Sequence, residues 1–584
     1  MKSLDATLRA SGRLALARRI IRTSEIGLIL LATLVGVGAG LAAAVIGRLA
    51  RVMQVTLFGL EDTVRLSSLT EIAPVRLIAL PLGGLLVGLV LHLTRRSRAA
   101  VDVVEANALH GGRIPGRDTL LVTVLTLVSN GCGASVGLEA AYAQAGGGAA
   151  STLGQWLRLR RSDLRVLVGA GAGGAIAAAF GAPLTGAFYA FEIVIGSYTP
   201  AAIAPIAVAA IAATVTARTL GTTPYLIVAS GGHTILTAHY FLFAAFGIVA
   251  AIVGIAIMRA VSIAEGLARA SRLPDWLRPA AGGLLLMPLG WISPQVLSAG
   301  HGALHLTLES EVSLQLLATI FLLKTLASIV SLGSGFRGGL FFASLLLGSL
   351  LGQIFAITWT AFPSTLPVNQ SDAALVGMAA LAVAIVGGPM TMALLVLEAT
   401  HDFAITATVL TAVLCSSAVV RDRFGYSFST WRLHLRGEVV RSARDIGWMR
   451  QLTAGRMMRQ APPSAPADLT TAEFRSRYPL GSTSRVVLVD GSGRYAGLVP
   501  TAAAFDAAVD ASAPVASLAL LDRQVLHPED TIDAIMTSFD HAEADDLAVV
   551  DAQGHPVGIL TEKYVRRRYA SEADRALREA YGED

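Results

Sequence analysis

GAPLTGAFYAFE (residues 181–192) and GGPMTMALLVLE (residues 387–398) align without a gap at an offset of 206 residues. Pro183 falls over Pro389, Thr185 over Thr391, Ala187 over Ala393 and Glu192 over Glu398. Further out, GASVGLEAA (133–141) aligns with GFRGGLFFA (335–343) at an offset of 202, pairing Gly133 with Gly335, Gly137 with Gly339 and Leu138 with Leu340. Two motifs in one order at nearly one offset mark a duplicated unit of about 200 residues. Whether the copies are parallel or inverted is not decided by the alignment.

The composition says where that unit sits. Of 584 residues, 54% are hydrophobic and 15% charged, against roughly 25% charged in soluble proteins. This excludes a soluble globular enzyme as the main body. Residues 119–157, 166–217 and 338–371 each carry at most one charge, whereas the last stretch of about 140 residues carries them at ordinary density. A polytopic membrane portion and a polar tail therefore share the chain, and duplication within the first is the pattern of secondary transporters and related channels. The formal charge of +5 comes from basic residues at membrane flanks, as the positive-inside rule requires, so no nucleic-acid partner is expected. Cys132 and Cys415 have no paired spacing and the histidines are scattered, so neither a disulfide framework, a metal nor a cofactor is expected.

Residues 1–24 form a basic segment with Lys2, Arg9, Arg13, Arg18, Arg19 and Arg22 ahead of the apolar run 26–50. That run is too long for a signal peptide, and residues 8–21 read as a short amphipathic helix acting as a topological anchor. Arg421, Arg423, Arg432, Arg436, Arg441, Arg444 and Arg450 follow the last apolar stretch. Both ends thus read as cytoplasmic, with an even number of crossings between. The expected organisation is a membrane domain over 25–435, with halves at about 26–220 and 236–420, a linker at 436–450 and a tail domain at 451–584. Within the tail, VVLVDGSGRYAGLVP (486–500) matches LAVVDAQGHPVGILT (547–561) at an offset of 61. Each copy reads as strand, glycine turn and strand, with a helical run at 531–539 before the second and the proline-rich 461–468 as a loop. The tail is read as two small tandem α/β modules.

Glu139 is the sole charge between residues 119 and 156, and a carboxylate inside a membrane segment is a functional candidate by default. Gly131, Gly133 and Gly137 lead up to it, where a helix would begin. A glycine-rich approach to a helix N-terminus presents unpaired N–H groups and the positive end of the dipole, which suits an anion. The repeat supplies a second such place at 333–340, and GGRIP (111–115) a third. Glu139 resting on those amides would be a tethered anion, released by protonation; the bland alternative is a glutamate capping its own helix.

These residues resemble the CLC chloride channels and proton-coupled chloride antiporters. Gly111-Gly112-Arg113-Ile114-Pro115 is similar to that family's GxGIP motif, Gly137-Leu138-Glu139-Ala140-Ala141 to GxEGP, and Gly339-Leu340-Phe341-Phe342-Ala343 to GxFxP; the tail resembles paired CBS domains. The resemblance implies a homodimer in the bilayer with one anion pathway per subunit, an all-α membrane domain built from inverted halves of broken, tilted helices, and small α/β CBS domains behind it. Glu139 then matches the gating glutamate, and Leu340 and Phe341 match the positions whose amides hold the anion. Gly112 stands where many members place a coordinating serine, and the place of their coordinating tyrosine falls in FGYSFS (424–429), at Ser429 with Tyr426 and Phe428 as the neighbouring alternatives. On this reading, Gly112→Ser should raise chloride affinity by about 1 kcal/mol, the net value of a hydrogen bond. Ile193 occupies the place of the inner proton-relaying glutamate. The neighbouring Glu192 points about 100 degrees away around the helix, and it reads, with Glu398, as a structural carboxylate bonding a helix end. Lys324 reads as a residue of a pore vestibule. In the tail, Thr561 with Tyr564, and Pro500 with Ala503, lack the Thr–Asp spacing of ribose-binding CBS pairs, so a scaffold role is expected.

The expected function is transport of chloride or another small inorganic anion across the plasma (bacterial inner) membrane, gated by Glu139. Passive or weakly coupled conduction follows from Ile193; proton-coupled antiport is the alternative. A membrane-embedded enzyme would need Glu139, Glu192 and Glu398 together with a nucleophile or metal that the sequence lacks, and a pure scaffold or receptor would leave the intramembrane glycine runs unexplained.

Overall fold

The computed structural model describes residues 24–61, 63–94, 100–222, 235–309, 312–361, 366–435 and 452–581. The basic segment 1–24, apart from Ser24, and the linker 436–450 lie outside the described residues. The chain divides into two units, between Asp445 and Ile446.

In the first unit the repeat extends over eight helices in each half, and the helix Phe428–Leu435 follows them without a counterpart. One half runs Glu25–Phe58, Ala79–Leu93, Val103–Leu109, Gly116–Gly131, Glu139–Trp156, Arg161–Phe180, Pro183–Tyr189 and Pro200–Thr219. The other runs Thr237–Ala270, Arg278–Ile292, His301–Glu309, Leu314–Ser334, Phe341–Thr360, Gln370–Val386, Pro389–Thr400 and Phe403–Arg423 in the same order. Among the described residues eight helices are long and apolar enough to cross a membrane. The first helix of each half has 34 residues, about 51 Å at the α-helical rise. That exceeds the roughly 30 Å hydrocarbon thickness, so these helices must tilt or project. Others are shorter or interrupted, by Pro205 and Pro288 inside helices and by a π-helical turn over Ala190–Ile195.

Lipid tails are as apolar as leucine, so burial alone does not hold such helices together; close backbone approach does. The sequence supplies glycine where helices cross. A Cβ at Gly146 would collide with the Gly171 carbonyl oxygen and one at Gly348 with that of Gly377, the same contact in each half. Gly36 against Ala209 and Gly247 against Ala412 repeat the arrangement.

The halves exchange contacts reciprocally. The Gly137 N–H donates to the Gly339 carbonyl (2.9 Å) and the Gly339 N–H to the Gly137 carbonyl (3.3 Å), as an antiparallel bridge. Ser331 Oγ accepts from the Ser135 N–H and Ser129 Oγ from the Arg337 N–H, each at 3.0 Å. Identical contacts between equivalent residues running in opposite directions require a local two-fold axis through the Gly137–Gly339 pair. The parallel-or-inverted ambiguity of the alignment is thus resolved as copies that run oppositely where they meet.

The tail carries two copies of one module. The first has β2 (Ser464–Pro466), β3 (Arg485–Val489) and β4 (Tyr495–Pro500) in one sheet, ordered β2-β3-β4. The second has β5 (Val525–Leu526), β6 (Asp546–Val550) and β7 (Pro556–Thr561), with β1 (Arg459–Gln460) at the far edge, ordered β1-β7-β6-β5. Its helix Ile532–Ala542 covers the helical run read from sequence. The proline-rich stretch is corrected: residues 464–466 are a strand, pairing parallel with β3 and burying Ala465. An edge strand tolerates prolines because its outer N–H groups have no ladder partner. In both hairpins one aspartate closes the turn. Asp490 accepts from the Ser492 and Arg494 N–H groups, and Asp551 from those of Gln553 and His555. Gly493 and Gly554 beside them have φ of 79° and 87°. These hydrogen bonds hold both carboxyls below the usual carboxylate range, led by the Ser492 hydroxyl at Asp490 and the His555 N–H at Asp551.

Candidate functional site

The Gly137–Gly339 bridge brings two helix N-termini together. The Glu139–Trp156 helix starts two residues after Gly137 and the Phe341–Thr360 helix two residues after Gly339. First-turn N–H groups have no carbonyl within their own helix to bond. Leu340 and Phe341 stand at the start of the second of these helices, at the positive end of its dipole.

Glu139 occupies that place. It is 4% exposed, and its carboxylate takes hydrogen bonds from its own backbone N–H and from that of Phe342 in the opposite half. The carboxyl folds back over Gly137, where a Cβ would collide with it, and a Cβ at Gly339 would lie 3.4 Å from Oε2. Glycine at 137 is what gives the carboxyl room. Oε2 has no hydrogen-bond partner among the described residues. Beside Glu139 lies a cavity of about 640 Å³, whose wall includes Glu139, Leu340, Phe341, Tyr189, Ile193 and Ser429. The Glu139 carboxyl, two helix N-termini and an adjoining cavity thus meet in one place.

The family model "Voltage gated chloride channel" matches residues 83–421, more than half of the chain, including both helix starts and Glu139. The chain belongs to this CLC family. It is an integral membrane protein of CLC-type chloride or anion transport and not an enzyme. A CBS domain model matches residues 519–571, the second module of the tail. The voltage-gated ClC-type chloride channel ClcB of Citrobacter koseri is 28% identical over 411 residues, covering 67% of this chain and 95% of that one. Among solved structures, that of a slow cyanobacterial Cl-/H+ antiporter is similar at a TM-score of 0.61 and 24% identity, over 70% of this chain and 97% of the other. That of a eukaryotic CLC transporter is similar at 0.60 and 16%, over 92% and 97%. At these identities the structures establish the fold.

Against the sequence reading, Glu139, Leu340, Phe341, Ile193 and Ser429 meet on one cavity. Of the three candidates near the end of the membrane domain, Phe428 and Ser429 line it and Tyr426 does not; the Tyr426 hydroxyl lies 3.2 Å from His434 Nδ1. Gly137 and Leu138 lie behind the wall, and the Gly137 N–H is engaged by Gly339. Gly112, Arg113 and Ile114 do not line this cavity. Ser151 instead donates to the Gly112 carbonyl (2.6 Å) and accepts from the Ile114 N–H (2.8 Å). Gly112 has φ of 82°, and a Cβ there would lie 3.2 Å from the backbone of Leu164 and Arg165. A serine at this position therefore meets left-handed strain of about 1–2 kcal/mol and offers its hydroxyl to no anion in this cavity. Gly112→Ser is expected to lower the melting temperature of the purified protein while leaving chloride affinity by calorimetry unchanged.

Glu192 is turned away from the cavity that Ile193 lines. It accepts from the Met390 N–H (3.1 Å), the Thr391 N–H (2.8 Å) and the Thr391 hydroxyl (2.7 Å). Glu398 accepts identically from Leu184, Thr185 and the Thr185 hydroxyl, at 2.8, 2.8 and 2.7 Å. Lys324 is corrected: it is not on a vestibule wall but fully buried, donating to the Val296 (3.0 Å) and Ser298 (2.7 Å) carbonyls. Two convergent carbonyls make a buried ammonium tolerable.

Two wall residues escaped the sequence reading. Thr126 is 1% exposed, and its hydroxyl has no partner among the described residues; nothing in its helical, apolar context marks it. Arg337 lies inside the quoted GFRGGLFFA, opposite Ser135 in the repeat, and that mismatch in charge was the available signal.

Proposed function

We propose that the protein conducts chloride, or another small inorganic anion, through one pathway in each subunit of a homodimer. The anion rests on the backbone N–H groups of Leu340 and Phe341, near Ser429, and Glu139 is the gate. One observation carries this reading: the Glu139 carboxylate takes the Phe342 N–H at the start of the opposite half's helix, so it sits where a free anion would. Protonation removes its charge, weakens its hold on the helix ends and opens the position to the permeating ion.

Passive or weakly coupled conduction is favoured because the wall offers apolar Ile193 where a second proton carrier would stand, while Glu192 is bonded to the opposite helix. Proton-coupled antiport is the second reading, supported by Glu139 itself and by the likeness to a slow cyanobacterial Cl-/H+ antiporter. The membrane is taken to be the bacterial inner membrane, with both chain ends cytoplasmic and the tail a scaffold on that face rather than a nucleotide sensor.

Purified protein in liposomes under a chloride gradient separates the two mechanisms. The reversal potential is expected to follow the chloride gradient and to stay within a few millivolts when a pH gradient is added. A shift set by a fixed proton-to-anion ratio would establish antiport and end the conduction reading.

A further inference from the structure

The helices Pro183–Tyr189 and Pro389–Thr400 match in their proline, their threonine and the glutamate that follows, yet they differ in chemistry at one buried place. Tyr189 falls over Leu395 at the offset of 206. Leu395 is buried in the apolar core. Tyr189 is 9% exposed and lines the cavity beside Glu139. An apolar side chain thus satisfies this place of the repeat, and the phenolic hydroxyl is an addition that packing does not require. Its ring is held against Phe341, with centroids 6.2 Å apart and planes at 58°, and Phe341 packs in turn on Phe180 at 5.1 Å. The π-helical turn Ala190–Ile195 begins directly after it, and Ile193 in that turn lines the same wall.

The Tyr189 hydroxyl makes no hydrogen bond among the described residues, although a buried tyrosine usually finds a partner for its O–H. The charges that act on it are those of Glu139 and Asp102, both on the cavity wall, so the hydroxyl end of the side chain is on the cavity side. Asp102 is engaged at the start of the Val103–Leu109 helix, where it accepts from the Glu105 N–H. We infer that Tyr189 is a side-chain ligand of the permeating anion, its hydroxyl donating a hydrogen bond to the ion held at the start of the Phe341–Thr360 helix. The inference rests on the anion-transport reading above and deepens it by naming a side-chain donor for that site. A hydrogen bond to an ionised acceptor is stronger than one between neutral groups. A phenol, with an ordinary pKa near 10, stays protonated across the working range and adds no fixed charge that would trap the ion. The contact with Phe341 keeps the donor beside the residue whose backbone N–H is proposed to hold the same ion.

The test is chloride affinity by calorimetric titration and chloride flux from liposomes, for wild type and Tyr189→Phe, each alone and combined with Glu139→Gln. Phenylalanine keeps the ring and its packing on Phe341 and removes only the O–H, so the melting temperature should not change. Half-saturating chloride is expected to rise about tenfold, the order of effect of losing one hydrogen bond to a charged group. The rise should be equal in the Glu139→Gln background, where no gate carboxylate is left for the hydroxyl to serve. Unchanged chloride affinity and half-saturation in Tyr189→Phe, the hydroxyl then facing water only, overturns the inference. A rise that vanishes in the Glu139→Gln background also overturns it, because the hydroxyl would then be a partner of the gate. So does a lowered melting temperature with chloride dependence intact, the mark of a structural tyrosine. Absence of flux in the wild type would instead sink the transport reading itself.

Discussion

Glu139→Gln is expected to give chloride flux that no longer responds to pH and that runs at neutral pH at the rate wild type reaches only in acid. The carboxylate holds its place by charge, through the Phe342 N–H and its own, at two helix N-termini. Such an attraction is worth up to about 2 kcal/mol in a partly buried geometry, or roughly thirtyfold in occupancy of the position. Glutamine has the same length and no charge, so it reproduces the protonated state, in which the anion outcompetes the side chain. Wild-type flux should therefore rise as pH falls, because protonation frees the site. The variant should hold a constant rate, higher at neutral pH by about ten- to thirtyfold, and any proton movement should vanish with the titratable group. Flux assays across acid to neutral pH check this; a variant that keeps the wild-type pH profile would remove Glu139 from the gate.

How much of this was legible in the sequence depends on whether a position shows through both periodicity and chemistry. The Glu192–Glu398 and Gly137–Gly339 pairs stood out because duplication preserved rare residues in apolar surroundings, and the fold uses both pairs as exchanged contacts. Glu139 was legible for a different reason, as the sole charge in a long apolar stretch, since its counterpart in the repeat is Phe341. The orientation of the halves was not, since an alignment is blind to direction in space and only reciprocal bonds reveal it. Ser129 and Ser331 extend the repeat, but a serine in a helix is too common to mark a contact. Gly112 fitted a motif that says nothing about which cavity the loop faces, and its φ of 82° is a tertiary fact. Lys324 was misplaced because its two carbonyl partners, on Val296 and Ser298, come from a turn some 26 residues upstream. The strand at 464–466 was hidden by prolines that an edge position permits.

Glu398→Ala should be the most damaging of the polar substitutions to stability, with Glu192→Ala close to it, since each carboxylate holds the helix start of the opposite half. Removing Glu398 strands the Thr185 N–H and hydroxyl, on a fully buried residue, together with the more exposed Leu184 N–H. At about 1–3 kcal/mol for each of these two buried donors left unpaired, the loss is about 2–6 kcal/mol, enough to lower the melting temperature in detergent by several degrees. Glutamine is a poor substitute, because both carboxylate oxygens accept while a carboxamide must turn its NH2 towards a donor. Glu398→Gln should therefore lie nearer to alanine than to wild type. Equivalence under the two-fold axis makes the Glu192 variants follow the same order. The decisive contrast is with a proton-relay role for Glu192. A relay would let Glu192→Gln keep its stability and change the pH dependence of flux, whereas a clamp predicts a lowered melting temperature with the pH profile of the surviving protein intact. The clamp also gives the carboxylates a purpose that Ile193 leaves open: they lock the two halves at the start of the short Pro183–Tyr189 and Pro389–Thr400 helices, so that the amide site between the halves keeps its shape while Glu139 moves in and out.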